Sequence, residues 1–168
     1  MTASFVTQIG EGFVGDGSNA AHVNTVLGAI GGPVETAWVS ALAHPSPGHT
    51  PFMVVAQPGM AVKPLTLFVN KATIASDRHG ELTWGAAQAG VAAGVLAALH
   101  ERIVDATIAD DLLLVVAVWV NPAADDADEI FENNRDAMVA ALRAGVRREP
   151  RVHTVAGAEI WNPFYDPR

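Results

Sequence analysis

The sequence contains no cysteine. Disulfide cross-links, thiolate nucleophiles and zinc–thiolate sites are excluded with it. Charge is also sparse, at 17% of the 168 residues, and it is lopsided, with 10 lysines and arginines against 18 aspartates and glutamates. A formal net charge of −8 repels a phosphate backbone. No basic run interleaved with aromatics argues otherwise, so nucleic acid is not an expected partner. Long apolar runs are missing too. The most apolar stretch, GAAQAGVAAGVLAALHERI from Gly85 to Ile103, is interrupted by Gln88 and falls short of the ~20 residues that span a bilayer. The opening MTASFVTQIGEG lacks the basic segment and apolar core of a signal peptide. The expectation is a cytoplasmic protein with no membrane partner.

Apolar residues, by contrast, make up half the chain. That is enough to bury a core in one domain. There is no internal repeat, low-complexity segment or linker, so residues 1–168 read as a single domain.

Residues 3–14 read as an opening strand that stops at Gly15-Asp16-Gly17, a tripeptide suited to the positive backbone angles of a tight turn. AHVNTVLGA, residues 21–29, reads as a second strand. Pro33 suits a first helical turn, and Val34, Trp38, Ala41 and Leu42 supply helical spacing after it. Residues 44–51 are loop. FMVVAQ (52–57) is expected as one short buried strand, PGMAVKP (58–64) as a turn and LTLFVNKATI (65–74) as another strand. The polar ASDRHGELTW leads to a helix from about Gly85 to Arg102, whose Gly90, Ala93, Gly94 and Ala97 permit close approach of a neighbour. DLLLVVAVWV (111–120) suits a central strand covered on both faces. An amphipathic helix follows, with Ile130, Met138, Ala141 and Leu142 on its buried side and Asp125 and Asp126 near its positive end. Residues 150–168 are strand or tail. Adjacent strands mixed with helices predict an α/β (α+β) fold, a mixed sheet with helices packed on one side.

Strand alternation puts His22, Asn24 and Val26 on one face and Ala21, Val23, Thr25 and Leu27 on the other. In LTLFVNKATI, Lys71 and Thr73 likewise share a face with Val69. Polar pairs that interrupt an apolar face suit a ligand pocket. The residues alone leave His22 open between a hydrogen-bonded structural histidine and a proton-transfer group. Lys71 reads as a solvated lysine, Gln88 as a cap or surface residue, and Asp125-Asp126-Asp128-Glu129 as a solvated helix start. The remaining histidines show no metal-ligand spacing. Ser18 has no nucleophile-elbow context, and GEGFVGDG is not a phosphate loop because it opens no helix.

Five segments, IGEGFVGDGSNAAHVNTVLG, PVETAW, KPLTLFVNKATI, WGAAQAGVA and DDLLLVVAVWVNPAADD, resemble in order and spacing the formaldehyde-activating enzyme family. The resemblance runs from about Ile9 to Asp126. It implies a two-layer α+β sandwich like the second domain of ribosomal protein S5, homopentamers with sites between subunits, and no metal. It also implies condensation of formaldehyde with tetrahydromethanopterin, a co-substrate rather than a bound cofactor. Under it, His22 is the general acid, and Lys71, Thr73 and Gln88 contact the pterin. Two matching positions depart. Asn24 stands where the family carries aspartate, and Met53 where leucine is frequent. Asparagine is a weaker, neutral acceptor and removes a negative charge near His22. That departure keeps a second expectation open: a paralogue that binds or buffers formaldehyde or a pterin adduct, or uses another amine acceptor. A third expectation gives Trp161, Phe164 and Tyr165 of the tail a role in assembly.

Overall fold

The computed structural model describes residues 5–162. Phe164 and Tyr165, and with them part of the tail expectation, lie outside the described residues. Strand β1 (Gln8–Val14) pairs antiparallel with β2 (Ala21–Ala29), in register from Gln8 opposite Leu27 to Val14 opposite Ala21. Helix α1 (Pro33–Ala43) follows with Pro33 in its first turn. Then come β3 (Phe52–Met53), β4 (Val55–Gln57), β5 (Met60–Ala61) and β6 (Leu65–Asn70). Helix α2 (Asp77–His100), strand β7 (Leu112–Trp119), helix α3 (Ala127–Arg147) and the short α4 (Val152–Ala156) follow among the described residues.

The main sheet has the order β1-β2-β7-β6-β3. Only β6 and β7 run parallel, so the sheet is mixed. β7 is its middle strand. Its even-numbered residues Leu112, Leu114, Val116 and Val118 enter the main core, and Leu113 enters a second cluster on the other face. That two-sided burial is why its sequence is apolar without interruption.

The long helices α2 and α3 pack together on one side of the sheet, as expected for an α+β sandwich. On α3, Ile130, Met138, Ala141 and Leu142 are all buried, as its periodicity predicts. Gly90 and Gly94 of α2 sit against Phe131 and Met138 of α3, where any side chain would collide. The short α1 covers one end of the opposite face, burying Val34 and Trp38 on Leu67 and Leu113. Leu42 is exposed rather than packed.

Several expectations change, among them the turn at 58–64, which holds β5, and the tail, whose residues 152–156 are helical. β1 begins at Gln8, and residues 3 and 4 lie outside the described ones. Residues 52–57 split at Val54 into β3, which pairs with β6, and β4, which pairs with β5 in a separate two-stranded ribbon. The polar stretch 75–84 is helical. Ser76 caps α2 by accepting a hydrogen bond from the His79 N–H at 3.1 Å, and a π-turn over Leu82–Ala87 joins this start to the apolar part. The helix therefore has 24 residues, long and apolar enough to cross a bilayer, but half of its apolar window is buried inside the protein as a core helix would be. Finally, β6 ends at Asn70, so Lys71 and Thr73 lie in the bend beyond it and not on a strand face.

Candidate active site

The residues singled out from sequence fall into two groups joined by a bend. The first stands on the sheet face opposite α2 and α3. Gly15 and Gly17 turn the chain at positive φ (83° and 60°), and a single 3₁₀ turn leads into β2. Asn19, in that turn, is pinned to the start of α3. Its amide donates to Asp125 and Glu129, and its Oδ1 accepts from the Asp125 and Asp126 N–H groups. Asn133 donates to the Asn19 carbonyl at 3.0 Å. Asp126 caps α3 through the Asp128 and Glu129 N–H groups, so the acidic run is indeed a helix start.

His22 emerges three residues after this anchor. Across the sheet it lies between Phe13 of β1 and Trp119 of β7, and Asn24 lies between Glu11 and Ala117. Cross-strand partners share a face, so these side chains form one patch. The Phe13 ring is 5.9 Å from the imidazole, tilted by 59°. His22 Nε2 is 3.1 Å from Glu11 Oε1, with both side chains partly exposed, at 41% and 58%.

The second group surrounds a cavity of about 430 Å³ at the β3 edge, lined by Thr50, Phe52, Met53, Val55, Trp84 and Gln88. Gln88 is not a surface cap. Its Oε1 accepts from the Val55 N–H at 2.9 Å and ties β4 to the helix. Trp84 belongs to the π-turn, a helix irregularity frequent at functional sites, and is 45% exposed. Phe52 stacks on Phe68 with ring centroids 4.9 Å apart.

Lys71 and Thr73 lie between the groups. The Lys71 N–H donates to the Val118 carbonyl at 2.7 Å, so Lys71 leaves the sheet beside the end of β7. The buried Asn70 holds the bend. Its Nδ2 donates to the Gly48 and Ala72 carbonyls, and its Oδ1 accepts from the Thr50 N–H. Thr73 rests against Gly48. The buried His79 fastens the bend's far end: its Nδ1 accepts from the Ala75 N–H at 3.1 Å and its Nε2 faces the Val120 carbonyl at 3.0 Å. That carbonyl requires the proton on Nε2.

β2 and β3 are separated by β7 and β6. At ~4.8 Å per strand spacing the two groups stand about 14 Å apart within one chain. The chain joins His22 to Asn24, and Met53 to Gln88, but it does not join the pairs. Glu11, Asn19, Asn70 and Trp84 escape sequence reasoning. Alternation along β1 puts Glu11 with Phe13, yet the residues of β1 do not by themselves set that strand's register against β2. No group of three or more histidine, aspartate or glutamate side chains suited to a metal occurs among the described residues.

The family model described as formaldehyde-activating enzyme (Fae) matches residues 9–160. A protein of Methanosarcina barkeri named 5,6,7,8-tetrahydromethanopterin hydro-lyase is 36% identical, over 87% of this chain and 82% of its own. Bifunctional Fae/Hps enzymes of Methanosphaera stadtmanae and Archaeoglobus fulgidus are 33% and 35% identical. The chain spans only 43% and 38% of their lengths, matching one part of each. With a family match over nearly the whole described chain, the protein belongs to the formaldehyde-activating enzyme family.

Proposed function

We infer that the protein condenses formaldehyde with tetrahydromethanopterin, giving methylene-tetrahydromethanopterin and water. The observation that carries this reading is the identity to the hydro-lyase along 82% of its length. A partly exposed histidine on an open face, beside a carboxylate, supplies chemistry that suits it.

One pterin nitrogen adds to formaldehyde to form a hydroxymethyl amine. An imidazolium proton from His22 passes to the hydroxyl as the C–O bond breaks, and water leaves. The nitrogen lone pair forms the iminium, the second pterin nitrogen closes the ring, and the proton released returns to the imidazole. Histidine suits this because its ordinary pKa, near ~6.5, lets it give and retake a proton near neutrality. Holding both reactants together lowers the entropic part of the barrier. Asn24, Met53, Lys71, Thr73 and Gln88 are the proposed pterin contacts.

The separation of the two groups supports sites built between subunits, with the His22 face of one copy set against the Gln88 cavity of the next. This is the arrangement in the proposed homopentamer, which we place in the cytoplasm.

The test is the condensation rate above the spontaneous reaction. His22→Ala should reduce the acceleration by about 10²-fold or more with the thermal midpoint unchanged. A folded native protein that never exceeds the spontaneous rate would sink the catalytic reading. Asn24 favours a second one, retention of pterin or its adduct without turnover. Calorimetry showing no binding of either would remove it.

A further inference from the structure

We propose that Glu11, from β1, is the positioning carboxylate of His22. This rests on the reading of His22 as the acid.

The register carries the argument. Glu11 is the cross-strand partner of Asn24, so the two project from the same face at the same level of the sheet. Position 24 holds a neutral asparagine, and Glu11 stands directly beside it on the next strand. Its longer side chain crosses diagonally and brings Oε1 to 3.1 Å from His22 Nε2. Phe13, opposite His22, confines the ring from the side of β1. Glu11 itself is placed by close packing rather than by its own contacts. Its neighbours Gly10 and Gly12 lie against the Ala141 and Ala137 carbonyls of α3, which sets the height of β1 on the helix.

The pairing assigns the two ring nitrogens different tasks. Nε2, which faces the carboxylate, is assigned the proton that is kept throughout. Nδ1 is then the nitrogen that gives its proton to the departing hydroxyl and recovers it at ring closure. After transfer, the neutral imidazole carries its single proton on Nε2, where Glu11 accepts it. No rotation of the ring is needed between the two steps. Carboxylate–imidazole pairs elsewhere fix tautomer and orientation by the same logic.

The experiment compares Glu11→Gln, Asn24→Asp and the double variant in steady-state condensation, with nitrogen NMR of the His22 ring alongside. Glu11→Gln keeps a hydrogen-bond acceptor of similar size and loses the charge. It should lower kcat by about tenfold and leave KM for the pterin within about twofold. Asn24→Asp introduced into Glu11→Gln should return kcat to within about threefold of the native value, a non-additivity that independent sites do not show. In the NMR spectrum the Nε2 signal should move more than Nδ1 on Glu11→Gln. An unchanged kcat, no rescue and an unmoved Nε2 signal would overturn the assignment. If the native protein shows no acceleration, the proposed reaction fails instead, and the NMR comparison still decides whether Glu11 holds the ring.

Discussion

The two faces of β1 are treated very differently by the rest of the molecule. On one face Gly10 and Gly12 bring the backbone so close to α3 that an added Cβ would run into the Ala141 and Ala137 carbonyl oxygens. On the other, Ile9, Glu11 and Phe13 face outward, with Ile9 70% exposed and Glu11 reaching His22. The glycines concentrate the cost of misplacement on the helix side. The open side keeps its side chains replaceable without touching the fold. Stability and chemistry are therefore separated across the thickness of one strand.

The largest effect should come from breaking the packed side. Gly12→Val forces β1 off α3, because backbone on the helix cannot yield as a flexible side chain would. We expect a loss of at least about 3 kcal/mol, or failure to fold. The adjacent Glu11→Gln, on the open face, should change stability by less than about 0.5 kcal/mol, since partly exposed ion pairs contribute little. Chemical denaturation of the two variants measures the contrast. Equal losses would show that the faces are not separated as the packing indicates.

Gln88→Leu should have a middling effect, because Gln88 belongs to both structure and cavity. It leaves the Val55 N–H without its acceptor, at a cost of about 1–2 kcal/mol. The same change frees β4 from the helix and loosens the wall of the 430 Å³ cavity. KM for the pterin should therefore rise more than kcat falls. A change confined to kcat would mean that Gln88 acts on the reacting atoms rather than on the cavity.

The same contrast explains what could be read from the sequence. β2, β7 and α3 are long and face well-defined surroundings, so their periodicity shows: alternation in β2, continuous apolarity in β7, a stripe on α3. The pairing of His22 with Asn24 on one face followed directly. The bend after Asn70 was not legible, because its geometry depends on a single buried amide making three hydrogen bonds, two of them to the Gly48 and Thr50 backbone far away in sequence. The split at Val54 had no local signal, since β3 and β4 differ only in the partner each finds. The start of α2 did carry one, Ser76 followed by Asp77, but the polar residues around it masked the helical period. Glu11 was hidden for another reason. Its role depends on register between two strands, and register is set by the turn and by α3 rather than by β1 itself.

The smallest expected effect lies away from both faces, in the connection between α2 and β7. The Asp105 carboxylate accepts hydrogen bonds from the Thr107 hydroxyl at 2.7 Å and the Thr107 N–H at 2.9 Å. These bonds hold its carboxyl below the usual carboxylate range, with the hydroxyl the larger cause. A depressed folded pKa means that the charged form favours folding. The contribution is complete above the unfolded carboxyl's pKa and disappears as pH falls through the lower folded value. Thr107→Val keeps the side chain's shape and the backbone bond but removes the hydroxyl. The thermal midpoint near neutral pH should fall slightly, and the gap from the native protein should close as pH drops below about 4. Condensation activity should be unchanged, because Asp105 touches neither group of site residues. A gap that widened in acid would mean that the hydroxyl stabilises the protonated form instead, and a loss of activity would show that this connection is coupled to the site through β7.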